Sequence, residues 1–185
     1  LSDVPLVGHH NMKNVLAALA ICHAMGLPYE QLVEGIKNLK GLPHRCELVG
    51  VRDGVRFVND SKGTNVGATV AALEGLADGR NIILVAGGEG KGQAFAPLAK
   101  AASQHSKHTV LIGRDAVRIA EALDAETPHT FADSMEAAVR AATDIAASGD
   151  VVLLSPACAS LDMFVDYRAR GDAFTAAVRD SEGVS

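Results

Sequence analysis

Two lysines of this chain stand in short polar segments of the kind that binds anions. Lys62 lies in residues 59–65 (NDSKGTN), and Lys91 lies in residues 87–92 (GGEGKG). The first segment separates an apolar run from a helical pattern, and Thr64 adds a hydroxyl group to it. A lysine beside a helix N-terminus makes an anion site, because both favour negative charge. The alternative interpretation is an ordinary strand exit followed by a helix cap.

The glycine-rich segment around Lys91 matches neither phosphate-binding template. A Walker loop requires Ser or Thr after its Gly-Lys pair, whereas Gly92 follows Lys91 here. The spacing of the glycines also fails the GxGxxG pattern. We therefore expect no autonomous nucleotide cradle. Two interpretations remain, a flexible glycine turn or a loop that brings Lys91 close to a carboxylate.

A third polar segment, residues 155–164 (SPACASLDMF), contains one cysteine and two serines. Cys158 would need a base to act as a nucleophile, and no fixed histidine partner can be argued from the sequence, so a small buried thiol is the better interpretation. We predict instead that Ser160 and the backbone amides at the start of the final helix donate hydrogen bonds to a carboxylate.

A fourth segment, residues 8–14 (GHHNMKN), opens a helical pattern. His9 and His10 are adjacent and diverge on a helix, so they cannot both bind one metal ion. Asn11 and Asn14 share a helical face. Either Asn11 is the N-cap of a solvated helix, or the two amides form a hydrogen-bonding edge for a base or a sugar.

The elements that must position these residues alternate along the chain. The apolar runs NIILVAGG, TVLIGR and DVVLLSPA predict buried parallel strands, and a short strand is predicted at 129–131. Apolar spacing predicts helices at 65–77, 94–105, 115–123, 134–147 and 160–180. Asp53-Gly54 lies between two strand-like segments and predicts a hairpin, which adds an antiparallel strand at one edge.

The first forty residues predict a helical hairpin, with helices at 11–25 and 28–39 and a domain boundary at residue 41. The predicted fold is therefore α/β: a Rossmann-like, mostly parallel sheet flanked by helices, with an antiparallel edge hairpin and a preceding helical hairpin. Ligands of such sheets bind at the carboxyl ends of the strands. The three polar segments that follow predicted strands should therefore meet at one edge.

Composition argues against several classes of protein. The 185 residues carry a formal net charge of -5, which disfavours a dedicated nucleic-acid binder. The three cysteines are scattered, which favours a reducing cytosol over a disulfide framework or a zinc site. No apolar run reaches the roughly 18 residues of a membrane-spanning helix. The chain begins without a signal-peptide pattern or an initiator Met, so we expect an excised piece of a longer cytoplasmic protein.

Six segments, in this order and spacing, resemble the Mur ligases: GHHNMKNVLAALA, GLPHR, VNDSKGTNVGAT, GGEGKG, SPACASLDMF and YRARGDAF. Each piece alone is weak, but the set is specific, and it is most similar to the members that add D-glutamate. The resemblance covers nearly the whole chain. It implies that residues 1–40 end the family's central ATP-binding domain and that residues 41–185 form its C-terminal domain.

The activity is implied by the resemblance alone. In this family ATP, supported by Mg²⁺, phosphorylates a carboxylate of a nucleotide-linked precursor, here UDP-N-acetylmuramoyl-L-alanine. The amine of D-glutamate then attacks the acyl phosphate, and phosphate leaves as the amide forms. The phosphate loop, the magnesium ligands and the precursor site belong to upstream parts of the family's sequence. We therefore expect this chain to bind D-glutamate and close over ATP as a monomer, and to be inactive alone.

The same resemblance assigns the site residues by position. Those expected to bind the nucleotide are His10, Asn11 and Asn14 near the adenine, Arg45 at the phosphates and Asp60 at the ribose. Those expected to bind D-glutamate are Lys62, Thr64, Lys91, Ser160, Leu161 and Tyr167. Two lysines with hydroxyl donors suit a dicarboxylic amino acid. Tyr167 stands where the family more often has Phe, Gly63 where it has Ala and Glu89 where it has Asp.

Three alternatives remain open at this stage. The chain could belong to another Mur ligase or to a folylpolyglutamate synthetase-type ligase, in which a diamino-acid substrate would need a further acidic or polar group near Lys91 or Ser160. It could be a non-catalytic Rossmann-like binding module, although the GxGxxG mismatch argues against a dinucleotide module. The helical hairpin could instead be an oligomerisation element that uses its apolar stripe.

Overall fold

One mixed sheet organises the chain in the computed structural model, which describes residues 8–180. The strands are β1 (Glu47–Arg52), β2 (Val55–Asn59), β3 (Ile82–Gly87), β4 (Ser106–Ile112), β5 (His129–Phe131) and β6 (Val151–Leu154). Their order in the sheet is β1-β2-β6-β3-β4-β5. β1 is antiparallel to β2, and every other neighbouring pair is parallel. The predicted α/β class, with an antiparallel edge hairpin, is confirmed.

Helices cover both faces of this sheet. They are α1 (His9–Ala24), α2 (Tyr29–Lys37), α3 (Val66–Leu76), α4 (Ala96–His105), α5 (Ala116–Ala122), α6 (Met135–Ile145) and α7 (Tyr167–Asp180). α3, α4 and α5 share one hydrophobic core with the sheet, and α6 and α7 share a second core on the other face. Within residues 8–180, no helix combines the length and the apolarity needed to cross a bilayer.

The side chains of β3 alternate between these two cores. Ile82, Leu84 and Ala86 belong to the first core, whereas Ile83 and Val85 belong to the second, and all five are fully buried. This follows from the two-residue period of a strand. Because both faces are covered, the strand needs an unbroken apolar sequence, and each large aliphatic side chain contributes roughly 1.5–3 kcal/mol through its burial.

The edge hairpin turns at Asp53 and Gly54, as predicted. Their φ angles are 49° and 78°. Positive φ at both central residues is the requirement of a type I′ turn, whose twist matches that of the flanking strands. The turn places β1 at the outer edge of the sheet and β2 beside β6.

The predicted helical hairpin is present as α1 and α2. α1 begins at His9 with Gly8 at the N-cap position, so the suggestion that Asn11 caps this helix is wrong. α1 packs on α3 and buries Val15, while α2 buries none of its residues. An apolar groove of about 390 Å³ runs between the two helices. Residues 1–7 of the predicted first unit, together with the side chain of His10, lie outside the described part.

The final helix begins later than the sequence suggested. We predicted a start near residue 160, whereas α7 starts at Tyr167. The Asp166 carboxylate accepts a hydrogen bond from the Ala169 amide at 2.8 Å and so caps the helix there. The Ser160 carbonyl instead accepts hydrogen bonds from Met163 and Phe164, which closes a separate turn. The predicted helix start beside Ser160 is therefore wrong, and hydrogen bonding of the helix amides to a carboxylate stays a prediction.

Candidate functional site

The loops that follow β2, β3 and β6 are hydrogen-bonded to one another at the carboxyl edge of the sheet. The Ala157 amide donates to the Gly63 carbonyl at 2.9 Å, which joins the loops after β6 and β2. Glu89 and Ala159 exchange two backbone hydrogen bonds, at 2.9 and 3.0 Å, which join the loops after β3 and β6. The prediction that the three polar segments meet at one edge is confirmed.

A cavity of about 370 Å³ opens beside the loop after β2. Among the side chains that line it are Asn11, Asn14, Arg45, Asp60 and Lys62. Four of these are the residues assigned to the nucleotide by resemblance, and they come from α1, from the segment before β1 and from the end of β2. The volume lies within the range of small-molecule sites. Lys62, assigned to the amino acid, borders this cavity as well.

Asp60 is the buried acid of this cavity, with 8% of its surface exposed. One carboxylate oxygen accepts a hydrogen bond from the Ser155 hydroxyl at 2.7 Å, and the other accepts one from the Cys46 amide at 3.3 Å. Burial raises the pKa of Asp60 to about 6, although these hydrogen bonds and the charge of Arg45 oppose the rise. The group is therefore ionised at neutral pH and can accept a hydrogen bond from a hydroxyl group.

The surroundings of two buried thiols near the edge, Cys46 and Cys158, make them unreactive. Burial raises the pKa of Cys158 to about 12, and burial together with the nearby Asp60 charge raises the pKa of Cys46 further. A thiol that stays protonated is a poor nucleophile. This agrees with the interpretation of Cys158 as a structural residue.

Lys62 and Tyr167, both assigned to the amino-acid site, lie in contact. The Lys62 ammonium is 4.3 Å from the centre of the Tyr167 ring, and the Arg168 guanidinium is 4.8 Å from the same centre. His44 meets this ring edge-on at 6.0 Å, and its carbonyl accepts a hydrogen bond from the Lys62 amide at 3.0 Å. The segment before β1 thereby supports the backbone and the aromatic neighbour of Lys62.

The other residues assigned to the amino acid lie on the three joined loops. Thr64 is partly exposed, Lys91 is exposed on a left-handed backbone with φ 49°, Ser160 is buried and Leu161 is exposed. Among residues 8–180, no hydrogen bond joins the side chains of Lys62, Lys91 and Ser160 directly.

Gln93 holds the three loops together and was not singled out from the sequence. Its carbonyl oxygen accepts a hydrogen bond from the Val66 amide at 3.1 Å, at the start of α3, and its amide nitrogen donates to the Ala157 carbonyl at 2.6 Å. A glutamine after a glycine-rich loop carries no recognisable signal, because its partners lie elsewhere in the sequence.

Arg170 is a second residue that the sequence analysis missed, although it stands in the segment YRARGDAF. Its side chain is 1% exposed. It donates to the Ser61 hydroxyl at 3.0 Å, to the Ser61 carbonyl at 2.9 Å and to the Cys158 carbonyl at 3.1 Å. Burial lowers the pKa of Arg170 to about 10, so the guanidinium stays charged at neutral pH.

The described residues offer no evident metal centre. Within residues 8–180, no group of three or more His, Cys, Asp or Glu side chains could hold a metal ion. The polar side chains assigned to the amino acid at the carboxyl edge are mainly lysines and hydroxyls, which suit anions rather than Mg²⁺.

A mostly parallel sheet with lysine and hydroxyl side chains at its carboxyl edge defines a domain of the Rossmann-like α/β class. The family described as "Mur ligase, glutamate ligase domain" matches residues 44–158, so the chain belongs to the Mur ligase family. The resemblance inferred from the six sequence segments is thereby confirmed.

Curated relatives and solved structures agree with this assignment. A protein of Nitrosospira multiformis named UDP-N-acetylmuramoylalanine–D-glutamate ligase is 50% identical over 181 residues, which is 97% of this chain and 38% of that protein. One of the same name from Chromobacterium violaceum is 53% identical over 174 residues, 94% of this chain and 38% of that protein. The chain thus spans about two fifths of the length of these relatives.

Solved structures share the fold at low sequence identity. UDP-N-acetylmuramate–alanine ligase MurC from Thermotoga maritima superposes with a TM-score of 0.69 at 16% identity, over 95% of this chain and 39% of that one. E. coli FolC in complex with DHPP and ADP gives 0.65 at 22% identity, over 98% of this chain and 41% of that one. At these identities the likeness establishes the fold alone.

Proposed function

We propose that this chain forms the D-glutamate-binding part of a UDP-N-acetylmuramoylalanine–D-glutamate ligase, an ATP-dependent enzyme of peptidoglycan precursor synthesis. Two facts support the proposal. Relatives about 50% identical over nearly the whole chain carry this name. The carboxyl edge also presents cations and hydroxyl groups on three mutually bonded loops.

The observation that carries the proposal is the distribution of donors over these loops. The loop after β2 supplies Lys62 and Thr64, the loop after β3 supplies Lys91, and the loop after β6 supplies Ser160. D-glutamate has two carboxylates, and each needs a cation or several hydrogen-bond donors. Two lysines on separate loops would meet this need, and in this proposal Leu161 and Tyr167 line the bound amino acid.

The neighbouring cavity is proposed as the place where the chain closes over ATP. Arg45 suits the phosphates because it is a permanent cation, and ionised Asp60 suits a ribose hydroxyl because it is an acceptor. Asn11 and Asn14 offer amide groups to the edge of the adenine, and His10 is proposed beside them. Lys62 borders both the cavity and the amino-acid site, at the position where nucleotide and amino acid would come closest.

The proposal places the other groups that the reaction needs outside the described residues. Because residues 8–180 offer no carboxylate cluster, we propose that Mg²⁺ and the ATP phosphate loop are served by other parts of a protein of the relatives' length. In this proposal residues 1–40 end an ATP-binding domain, and residues 41–185 form the amino-acid-binding domain. The enzyme would work in the cytoplasm as a monomer, and the chain alone would show no ligase turnover.

Titration of the ¹⁵N-labelled chain with D-glutamate tests the proposal. We expect saturable binding in the millimolar range, with amide shifts at Lys62, Thr64, Lys91 and Ser160. Lys91→Ala should weaken the affinity about tenfold or more, because a charge-assisted hydrogen bond is lost. Lys100→Ala, which removes an exposed lysine of α4, is the matched control. Absence of saturable binding, or equal binding by the Lys91 variant, would overturn the proposal.

A further inference from the structure

Arg170 is a buried cation whose direct contacts are neutral oxygen atoms, with the Asp162 carboxylate as a more distant charge that favours it. Its side chain is almost fully enclosed, and no carboxylate of residues 8–180 lies within ion-pair distance of it. Enclosing a charge that no carboxylate contacts directly is costly, and structures retain one only where hydrogen bonds compensate. Here the compensating groups are carbonyl and hydroxyl oxygens of two loops. Because burial of this charge costs free energy, a guanidinium at residue 170 must do something that an apolar side chain could not.

The two loops that Arg170 joins each carry a residue proposed to bind the amino acid. Ser61 directly precedes Lys62, and Cys158 lies two residues before Ser160. Nε and Nη2 bind Ser61, and Nη1 binds the Cys158 carbonyl. Because the guanidinium is planar and rigid, it fixes the position of Ser61 relative to Cys158, in addition to the Ala157–Gly63 hydrogen bond that joins the same loops.

The helix that carries Arg170 is fixed to the same point. The Ser61 hydroxyl donates to the Tyr167 carbonyl at 2.7 Å, at the first residue of α7. Tyr167 in turn contacts the Lys62 ammonium. One connected set of contacts therefore joins Arg170, Ser61 and Tyr167. It reaches Lys62 through Tyr167 and the Ser160 loop through the Cys158 carbonyl.

We propose that Arg170 is a positioning residue that sets the distance between the Lys62 and Ser160 loops and thereby selects the length of the dicarboxylic amino acid bound between them. The proposal rests on the proposed D-glutamate site. Arg170 acts through Ser61 and Cys158 and is not itself a ligand of the substrate. A shorter or longer dicarboxylate would place one carboxylate away from its donors while the spacing is fixed.

Affinities for D-aspartate, D-glutamate and D-2-aminoadipate test this role, because these amino acids differ by single methylene groups. The wild-type chain should prefer D-glutamate over both. Arg170→Lys keeps the charge but cannot bind both loops through a planar fork. We expect it to weaken D-glutamate binding about tenfold, since displacement of a site by about 1 Å has effects of this size or larger. In Arg170→Lys, the preference for D-glutamate over D-aspartate and D-2-aminoadipate should fall to about twofold or less.

A purely structural role would give a different result. Partial unfolding would lower the affinity for all three amino acids by one common factor and leave the preference unchanged. Arg179→Lys, an exposed position on the same helix, is the matched control. Ser61→Ala removes the hydroxyl group bound by Arg170 Nε. It should also reduce the preference for D-glutamate over the other two amino acids. This variant replaces Arg170→Lys in the test if Arg170→Lys does not fold.

The outcomes separate this inference from the proposed function. If the wild-type chain binds none of the three amino acids, the proposed function fails and this inference falls with it. If the wild-type chain prefers D-glutamate and the folded Arg170 or Ser61 variants keep the same preference, the inference alone is overturned.

Discussion

The Lys62 ammonium lies 4.3 Å from the centre of the Tyr167 ring, although the two residues come from opposite halves of the chain. A cation is attracted to the electron-rich face of an aromatic ring. The contact therefore restricts where the flexible lysine side chain can place its charge. It also explains how an aromatic residue at the start of α7 can matter to a site built on the loops.

The ring rather than the hydroxyl of Tyr167 should support ligand binding. Tyr167→Phe keeps the ring and should change D-glutamate affinity less than about threefold, whereas Tyr167→Leu should weaken it by about 2–30-fold, because a cation–π contact contributes about 0.5–2 kcal/mol. Calorimetric titration of both variants measures the difference. Equal losses in the two variants would show that the hydroxyl group is responsible instead.

Stability should depend on pH through Asp60. Its folded pKa of about 6 is above the ordinary value of 3.8, so the folded state holds this proton more strongly than the unfolded state. The free energy of unfolding should therefore fall as pH rises from about 4 to about 6, by on the order of 2–3 kcal/mol for this group. Urea denaturation across this range measures the slope.

Asp60→Asn keeps the shape of the side chain and removes its ionisation. We expect this variant to lose the Asp60 part of the decline between about pH 4 and pH 6. Asp144→Asn, at an exposed position on α6, should keep the wild-type profile. An identical decline in wild type and Asp60→Asn would assign the pH dependence to other groups.

Removal of the Gln93 side chain should loosen the three loops together. Gln93→Ala leaves the Val66 amide and the Ala157 carbonyl without their partners. We expect a loss of about 1–3 kcal/mol in unfolding free energy, the cost of unsatisfied buried groups. Faster hydrogen exchange at the Val66 amide should accompany it.

Gln104→Ala is the matched control for this experiment, because Gln104 is exposed at the end of α4. It should change neither the free energy of unfolding nor the hydrogen exchange of the Val66 amide. Unchanged exchange at Val66 in Gln93→Ala would contradict the role given to this side chain.

Gly171 permits the close approach of α7 to His44. A Cβ atom there would overlap the His44 ring nitrogen and crowd the Asn59 side chain at 3.0 Å. Gly171→Ala should therefore destabilise the protein by about 1–3 kcal/mol, despite the better helix propensity of alanine. Gly67→Ala in α3, where the nearest atom would be 3.5 Å away, should instead stabilise it by up to about 1 kcal/mol. Thermal unfolding distinguishes the two, and a stabilised Gly171→Ala would refute the steric argument.

Much of the fold could be predicted because its signals are local. The continuous apolar runs of β3 and β6 and the Asp53-Gly54 turn each identify an element without reference to the rest of the chain. The position of β6 between β2 and β3 could not be predicted in this way, since several buried strands have similarly apolar sequences. The start of α7 was misplaced because the cap at Asp166 and the turn closed by Ser160 both lie within the predicted helix.

The residues of the candidate site also differ in whether local sequence signals identify them. Lys62, Lys91 and Ser160 could be named from residue type and from their position after predicted strands. Arg170 could not, because a charged residue in a helical segment is usually solvated, and its burial depends on how two distant loops fold. Gln93 was missed for the same reason: its partners become neighbours only when the sheet has formed.

The central place of β6 also sets the order in which a growing chain can complete its fold. Among the strands of residues 8–180, β6 is the last to be synthesised, yet it separates β2 from β3. Until residue 154 has left the ribosome, β2 and the continuously apolar β3 expose unpaired edges, which are templates for aggregation. Binding of a ligand at the joined loops during translation must therefore wait for β6, and a polypeptide truncated before β6 should be insoluble rather than merely unable to bind the ligand.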